Sequence, residues 1–420
     1  MINRLELRPS RRAILGAALG LPLWARPGKL KITGLELVRL DGHWHAPEND
    51  HQYQVNPSHV YDELRPKPPV TTPPRDEAVS AIYLKLQTDG GIEGIHGPID
   101  KEAAFIVDQQ LRSFIIGKDP LAGETLWDEM QRSYRHSRAG HYMMAISAID
   151  NALWDLRGRY FETPVYRLLG GPTRQSVECY VSMLGHSIEP EKARAKAIEF
   201  QGKGFRYQKW FIPYGPGSGP EGLLKNVELV KTLREAVGPK TELMFDAYGG
   251  WTLDYAIAWA KQVEQYRPRW IEEAFQPNKI EAFAELRRAT SVPVASGEHF
   301  YTRWDVYEYL KAGAISVVQA DPEWCGGVSE VQKICAIATL YDALVIPHGH
   351  SIRAALHVVA SQSPAVCPLV EFLWIKMLSY YHFEKDPPVP VNGRLPLPDR
   401  PGFGAEFDTA KIEKQTTLKW

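Results

Sequence analysis

From about residue 177 onward the chain repeats one rhythm, a short apolar run followed by an amphipathic helical stretch. The runs read "CYVSM", "YQKWFI", "ELMFDA", "RWIEE", "VPVAS", "ISVVQA", "ALVIPH" and "CPLVEF". Helical patterns over 189–202, 221–236, 253–266, 279–289, 303–312, 328–340 and 352–361 separate them. Strands joined through helices cannot be hairpin partners, so they lie side by side in a parallel sheet. Eight near-equal units predict closure into a TIM-type (β/α) barrel, placed here at 166–384.

The flanking segments obey other rules. "KITGLELVRL" alternates as a strand does, and "AVSAIYLKLQTDGGIEGIHGPI" predicts a hairpin turning at Asp89-Gly90-Gly91. Helical patterns follow in "KEAAFIVDQQLRSFI" and "AISAIDNALWDLRGRYF", the second with Ala145, Ile149, Leu153 and Leu156 on one face. These features predict an α+β domain over 29–165, completed by the Pro/Gly-rich tail at about 385–420. The stretch 42–76, rich in His, Pro and charge, is too long for a plain connector and reads as a binding loop or lid.

The first 28 residues are set apart. "SRRAILGAALGLPLWA" puts two arginines before an apolar stretch too short to span a bilayer, the form of a twin-arginine export signal. Such a signal implies a periplasmic or exported protein, delivered already folded. No other segment has the length of a membrane span. Lys plus Arg (49) and Asp plus Glu (50) nearly cancel, without a basic tract interleaved with aromatics, so a nucleic-acid partner is not expected. The four cysteines form no CxxC pair and read as buried free thiols.

The barrel reading gives meaning to the acids that end its strands. Asp246, Glu272 and Glu298 recur every 26 residues, one β/α unit apart, at strand ends that share one rim. Three carboxylates that close repel one another and raise each other's pKa unless a cation sits among them. Oxygen-only ligation with positions to spare suits Mg²⁺. Glu273, next to Glu272, is expected on the opposite side of its strand. The following two strands deliver Asp321 ("VVQAD") and His348 ("VIPHG"). An aspartate on one imidazole nitrogen fixes the tautomer and raises the basicity of the other. "LVEF" places Glu371 at the end of the eighth strand.

Carried by "AISAIDNALWDLRGRYFETPVYRLLGG", "FDAYGGW", "WIEEA", "SGEH" and "PHG", the sequence resembles the enolase superfamily in its mandelate racemase-like branch. The resemblance covers nearly the whole chain after the leader. Within that branch "DPEWCGGVSEVQKI", "ALVIPHGHS", "PVPVNGRL" and "RPGFGAEF" look like L-rhamnonate dehydratases. It implies Mg²⁺ on Asp246, Glu272 and Glu298, His348 as a base paired with Asp321, and matches for His299 and Glu371 in the barrel. Racemases of the branch carry two lysines spaced one apart on the second strand. Here Lys209 is present, to help hold a substrate carboxylate, but Phe211 stands in the second place, while Trp210 is expected in packing.

The implied reaction is removal of the proton α to a carboxylate and loss of a β-hydroxyl, giving a 2-keto-3-deoxy acid from a small acid sugar. Substrate choice is expected in the 42–76 loop. His51 falls near a substrate-contacting His of that group, although "QYQVNPSHVYDELRP" departs from its pattern. His43, His45, His59, Arg65 and the segment "GHSIR" (349–353) are further candidates. The alternatives are a racemase or epimerase of a carboxylic acid, and a non-catalytic sugar-acid binding protein. Relatives are usually assemblies of identical subunits, so a homo-oligomer is expected.

Overall fold

The computed structural model describes residues 30–65 and 69–420; the expected export signal lies outside them. Eight short strands, Ser176–Ser182, Tyr207–Phe211, Glu242–Asp246, Trp270–Glu272, Val294–Ser296, Val317–Val318, Leu344–Val345 and Leu369–Leu373, pair in parallel and in sequence order. The eighth pairs back onto the first, with Val370 opposite Cys179. No ladder joins the seventh and eighth strands. The seam is held instead by Val345 N donating to Val366 O (2.9 Å) and Gly349 N to Glu371 Oε2 (2.9 Å).

Strand periodicity divides the barrel's side chains into two sets. One set points inward and fills the interior: Tyr180, Met244, Trp270, Ala295, Val317, Ile346 and Leu369. The other set, including Trp210, Phe245 and Ile271, meets the surrounding helices in the largest core. Each such apolar side chain contributes about 2 kcal/mol on burial. The helices fall where the apolar spacing puts them: Pro190–Gly202, Gly219–Val237, Leu253–Val263, Ile280–Ala289, Thr302–Lys311, Val328–Ala338 and Arg353–Ser361. The longest stops at Gly238, whose φ of 68° ends a helix without steric cost.

The second unit is an antiparallel sheet ordered Lys414–Leu418, Ile32–Ala46, Arg75–Thr88, Glu93–His96. It has its own core with the 21-residue helix Gly140–Tyr160. The tail takes part in both units. Arg394–Pro396 pairs with the first barrel strand, and Lys414–Leu418 then extends the capping sheet. The expected 42–76 loop is shorter than its composition implied. The first strand continues through Gly42–Ala46, the next begins at Arg75, and a small hairpin of Asn49–His51 with Val70–Thr72 sits between them. Among the described residues no helix is long and apolar enough to cross a membrane.

Candidate active site

The inward-facing layer dictates what reaches the barrel mouth. Two residues beyond Tyr207, Met244, Trp270, Ile346 and Leu369 lie Lys209, Asp246, Glu272, His348 and Glu371, again inward and now at the rim. Glu298 breaks this count, being three residues past Ala295. Gly297, with φ 134°, makes the correction. A Cβ there would lie 2.9 Å from Gln319 N, so only glycine lets the chain turn Glu298 inward.

Oxygens of Asp246, Glu272 and Glu298 lie within 4.8 Å of one another, and all three residues are buried. Burial, joined by repulsion from neighbouring acids (Glu273 in the case of Glu298), pushes their carboxyls up to about 6, 8 and 7 respectively. Lys209 is in direct contact with the cluster, 2.5 Å from Glu272, 3.2 Å from Asp246 and 2.8 Å from Glu371. The clustered carboxyls outnumber the basic side chains set against them, and the all-oxygen donor set fits a hard divalent cation such as Mg²⁺.

His348 Nδ1 donates to Asp321 Oδ2 at 2.8 Å, while Nε2 faces Glu298 Oε2 at 3.6 Å. Burial alone would depress the imidazole, but Glu298, Asp321 and Glu371 outweigh it and hold it at about 9. The dyad and the acid cluster therefore meet at Glu298. Glu371 is held at about 2, because Lys209 and His348 more than offset its burial.

Several residues depart from their sequence reading. Lys209 is 1% exposed, and its ammonium pairs with three carboxylates at the rim. Phe211 packs beside it, with the ammonium 5.2 Å from the ring centre, and Trp210 lies in the strand–helix core as expected. Glu273 does not point away. Its backbone takes φ 43°, swinging the carboxylate to within 3.0 Å of His299 Nδ1 and into a second group with Glu298. Burial would lower His299, yet Glu273 and Glu298 raise it to about 9. Trp324, passed over in the sequence, stacks on His299 (centroids 5.6 Å) and covers His348 (4.9 Å). Its only signal was its place three residues after Asp321.

The loop candidates divide. His51 Nε2 is engaged by Thr72 Oγ1 across the small hairpin (3.1 Å). His43 and His45 lie in the long first strand and pair with Glu413 and Asp76 at the surface. His59 and Arg65 line a cavity of about 370 Å³ between this loop and Pro213–Ser218. A larger cavity, about 650 Å³, opens onto Tyr248, Glu273 and His299. Within 349–353, Arg353 is consumed by a buried pair with Glu384.

The raised carboxyls make a first expected result. Glu272 and Glu298 stay protonated in the metal-free fold up to about 8 and 7, whereas in the unfolded chain they ionise near the ordinary carboxylate range. The fold thus binds more protons than the unfolded chain across that window, and metal-free stability falls as pH rises through it. Cation binding needs the ionised acids, so the gain in Tm from Mg²⁺ grows from pH 5 to pH 8 and then levels. Thermal melts with and without Mg²⁺ measure this; a gain that is flat or shrinking with pH contradicts it.

Comparison with known proteins places this geometry in a family. Residues 192–411 match the model "Enolase C-terminal domain-like", and residues 59–170 match the mandelate racemase / muconate lactonizing enzyme N-terminal domain. An L-rhamnonate dehydratase of Saccharopolyspora erythraea is 34% identical over 79% of this chain and 84% of its own. A D-galactarolactone cycloisomerase of Agrobacterium fabrum is 30% identical over 78% and 89%. The crystal structure of rhamnonate dehydratase from Gibberella zeae complexed with Mg superposes with a TM-score of 0.77, at 27% identity, covering 91% of this chain and 96% of that one. With family models matching residues 59–170 and 192–411 and a relative 34% identical over most of both chains, the chain belongs to the enolase superfamily, in its mandelate racemase/muconate lactonizing enzyme branch.

Proposed function

We propose that this protein is a Mg²⁺-dependent acid-sugar dehydratase of the L-rhamnonate dehydratase kind. One observation carries the reading: His348, with Nδ1 committed to Asp321, aims Nε2 at Glu298 of the cation cluster. Asp246, Glu272 and Glu298 would hold the divalent cation, which would supply positive charge to offset the second negative charge that a substrate carboxylate gains on losing its α proton. Nε2 is the lone pair positioned to remove the α proton of a substrate seated there. In its neutral form, with Nδ1–H held by Asp321, the imidazole would present that lone pair as the base. The Nε2–H it then carries passes to the departing β-hydroxyl, which leaves as water, and the enol tautomerises to the 2-keto-3-deoxy acid.

The second strand supports elimination over racemisation. Phe211 is apolar and buried where a second base would stand, so one face of the substrate lacks a proton acceptor from that strand. The relative named L-rhamnonate dehydratase supports the substrate class, an acid with a hydroxyl β to the carboxylate. A library of hexonates and 6-deoxyhexonates with Mg²⁺, read by semicarbazide for 2-keto products, tests this. Product from at least one acid, lost on adding EDTA, is expected. Deuterium uptake at the α carbon without loss of water marks an epimerase and refutes dehydration.

A further inference from the structure

The loop that follows Asp321 is held by the other domain. His96, at the inner end of the capping-sheet strand Glu93–His96, meets Glu323 at 2.6 Å, and both side chains are buried (3% and 6% exposed). Glu323 N in turn donates to Asp321 Oδ1 (2.7 Å), the oxygen not used by His348. Asn151, on the long capping helix, donates from Nδ2 to Pro322 O (3.0 Å) and accepts from Val328 N (3.0 Å). Both oxygens of Asp321 are thus fixed, one by the imidazole and one by a backbone amide whose own residue is pinned from across the domain boundary.

Two buried polar side chains reaching over a domain interface to one segment cost desolvation that packing alone would avoid. Their geometry has a consequence for chemistry, because an imidazole's tautomer and direction follow from the carboxylate that holds it. We propose that His96 and Asn151 are positioning residues for His348, acting through Pro322–Glu323 and Asp321, so that the capping domain sets the orientation of the base. The proposal rests on the reading of His348 as that base. It separates two jobs within the capping domain: Pro57 lines the cavity that reaches Glu273 and His299, while His96 and Asn151 act on turnover through the segment that follows Asp321.

The test uses the full chain with Mg²⁺. His96→Ala removes the partner of Glu323, and His96→Gln keeps an N–H donor on that side. With an acid sugar that the wild type dehydrates, His96→Ala lowers kcat by about a hundredfold, the scale of a catalytic group moved by ~1 Å. KM changes by less than about twofold, since the substrate's own contacts remain, and His96→Gln recovers most of the loss. Independently of any substrate, ¹⁵N spectra of histidine-labelled protein, assigned with His348→Asn, show a single Nδ1–H form of His348 in the wild type and a mixture in His96→Ala. Where His96→Ala fails to fold, Asn151→Ser carries the same expectations. Unchanged His348 signals, or equal losses in the Ala and Gln variants, overturn the proposal. A wild type that turns over no acid sugar refutes only the functional reading, because the ¹⁵N result stands apart from it.

Discussion

Replacing His348 by Asn lowers kcat by about a thousandfold or more, near the upper range for loss of a general acid–base group, and leaves the Tm gain from Mg²⁺ in place. The asymmetry follows from where the ring sits. His348 touches the cluster only through Nε2, 3.6 Å from Glu298, and contributes no ligand oxygen. Asparagine is close in size to the part of the ring that meets Asp321 and can still donate to Oδ2, so the Asp321 segment keeps its partner. What it lacks is a basic nitrogen beyond. Because the same nitrogen is assigned to both proton removal and hydroxyl departure, exchange of the α proton in D₂O falls together with product formation. Retained exchange with lost dehydration would show that another group takes the first proton and that His348 serves only the second step.

Glu298→Gln has the other large effect, and it acts on two functions at once. The amide removes one of three anionic ligands, so Mg²⁺ affinity measured by calorimetry falls by more than the roughly 10–100-fold typical of losing an indirect partner of a metal ligand. It also removes the leading influence that raises His348, and the imidazole then titrates below its value of about 9 in the metal-free protein. A histidine held up by a neighbouring carboxylate lends stability below its ordinary pKa that fades as pH rises through the raised one. Glu298→Gln flattens that part of the metal-free stability profile between about 6.5 and about 9. Loss of metal affinity with no movement of His348 would separate the dyad from the cluster. Glu371→Gln is the informative contrast, since Glu371 bonds Lys209 and Gly349 N and lies outside the three-acid set.

The parts of this site that could be read from the sequence are those that obey a simple period. Asp246 and Glu272 lie two residues beyond inward-facing Met244 and Trp270, at a spacing of one β/α unit, and the count alone brings them together. Glu298 kept the unit spacing, although its inward turn depends on Gly297. Asp321, His348 and Glu371 were legible for the same reason. Glu273 was misread because strand alternation was applied to a residue whose φ is 43°. The partners of Lys209 come from three other strands, and a lone lysine in the sequence does not say which acids those are.

The long capping helix shows the limit most clearly. Ala145, Ile149, Leu153 and Leu156 formed the expected apolar face, but Ser147, Asp150 and Asn151 are as deeply buried. Their partners Gly326, Ser329 and Val328 lie more than 170 residues away, beyond any local pattern. His43 and His45 erred in the opposite direction, since composition suggested a loop where an alternating strand continued.

The claim beneath all of this is that one cation, gripped by acids from three neighbouring strands, sits opposite an imidazole ready to take a proton. Crystals grown with Mn²⁺ in place of Mg²⁺ and examined by anomalous diffraction address it directly. A single strong peak bonded to one oxygen each of Asp246, Glu272 and Glu298, on the Nε2 side of His348, is the expected result. A peak elsewhere, or none at saturating Mn²⁺ with the three acids ordered, contradicts it.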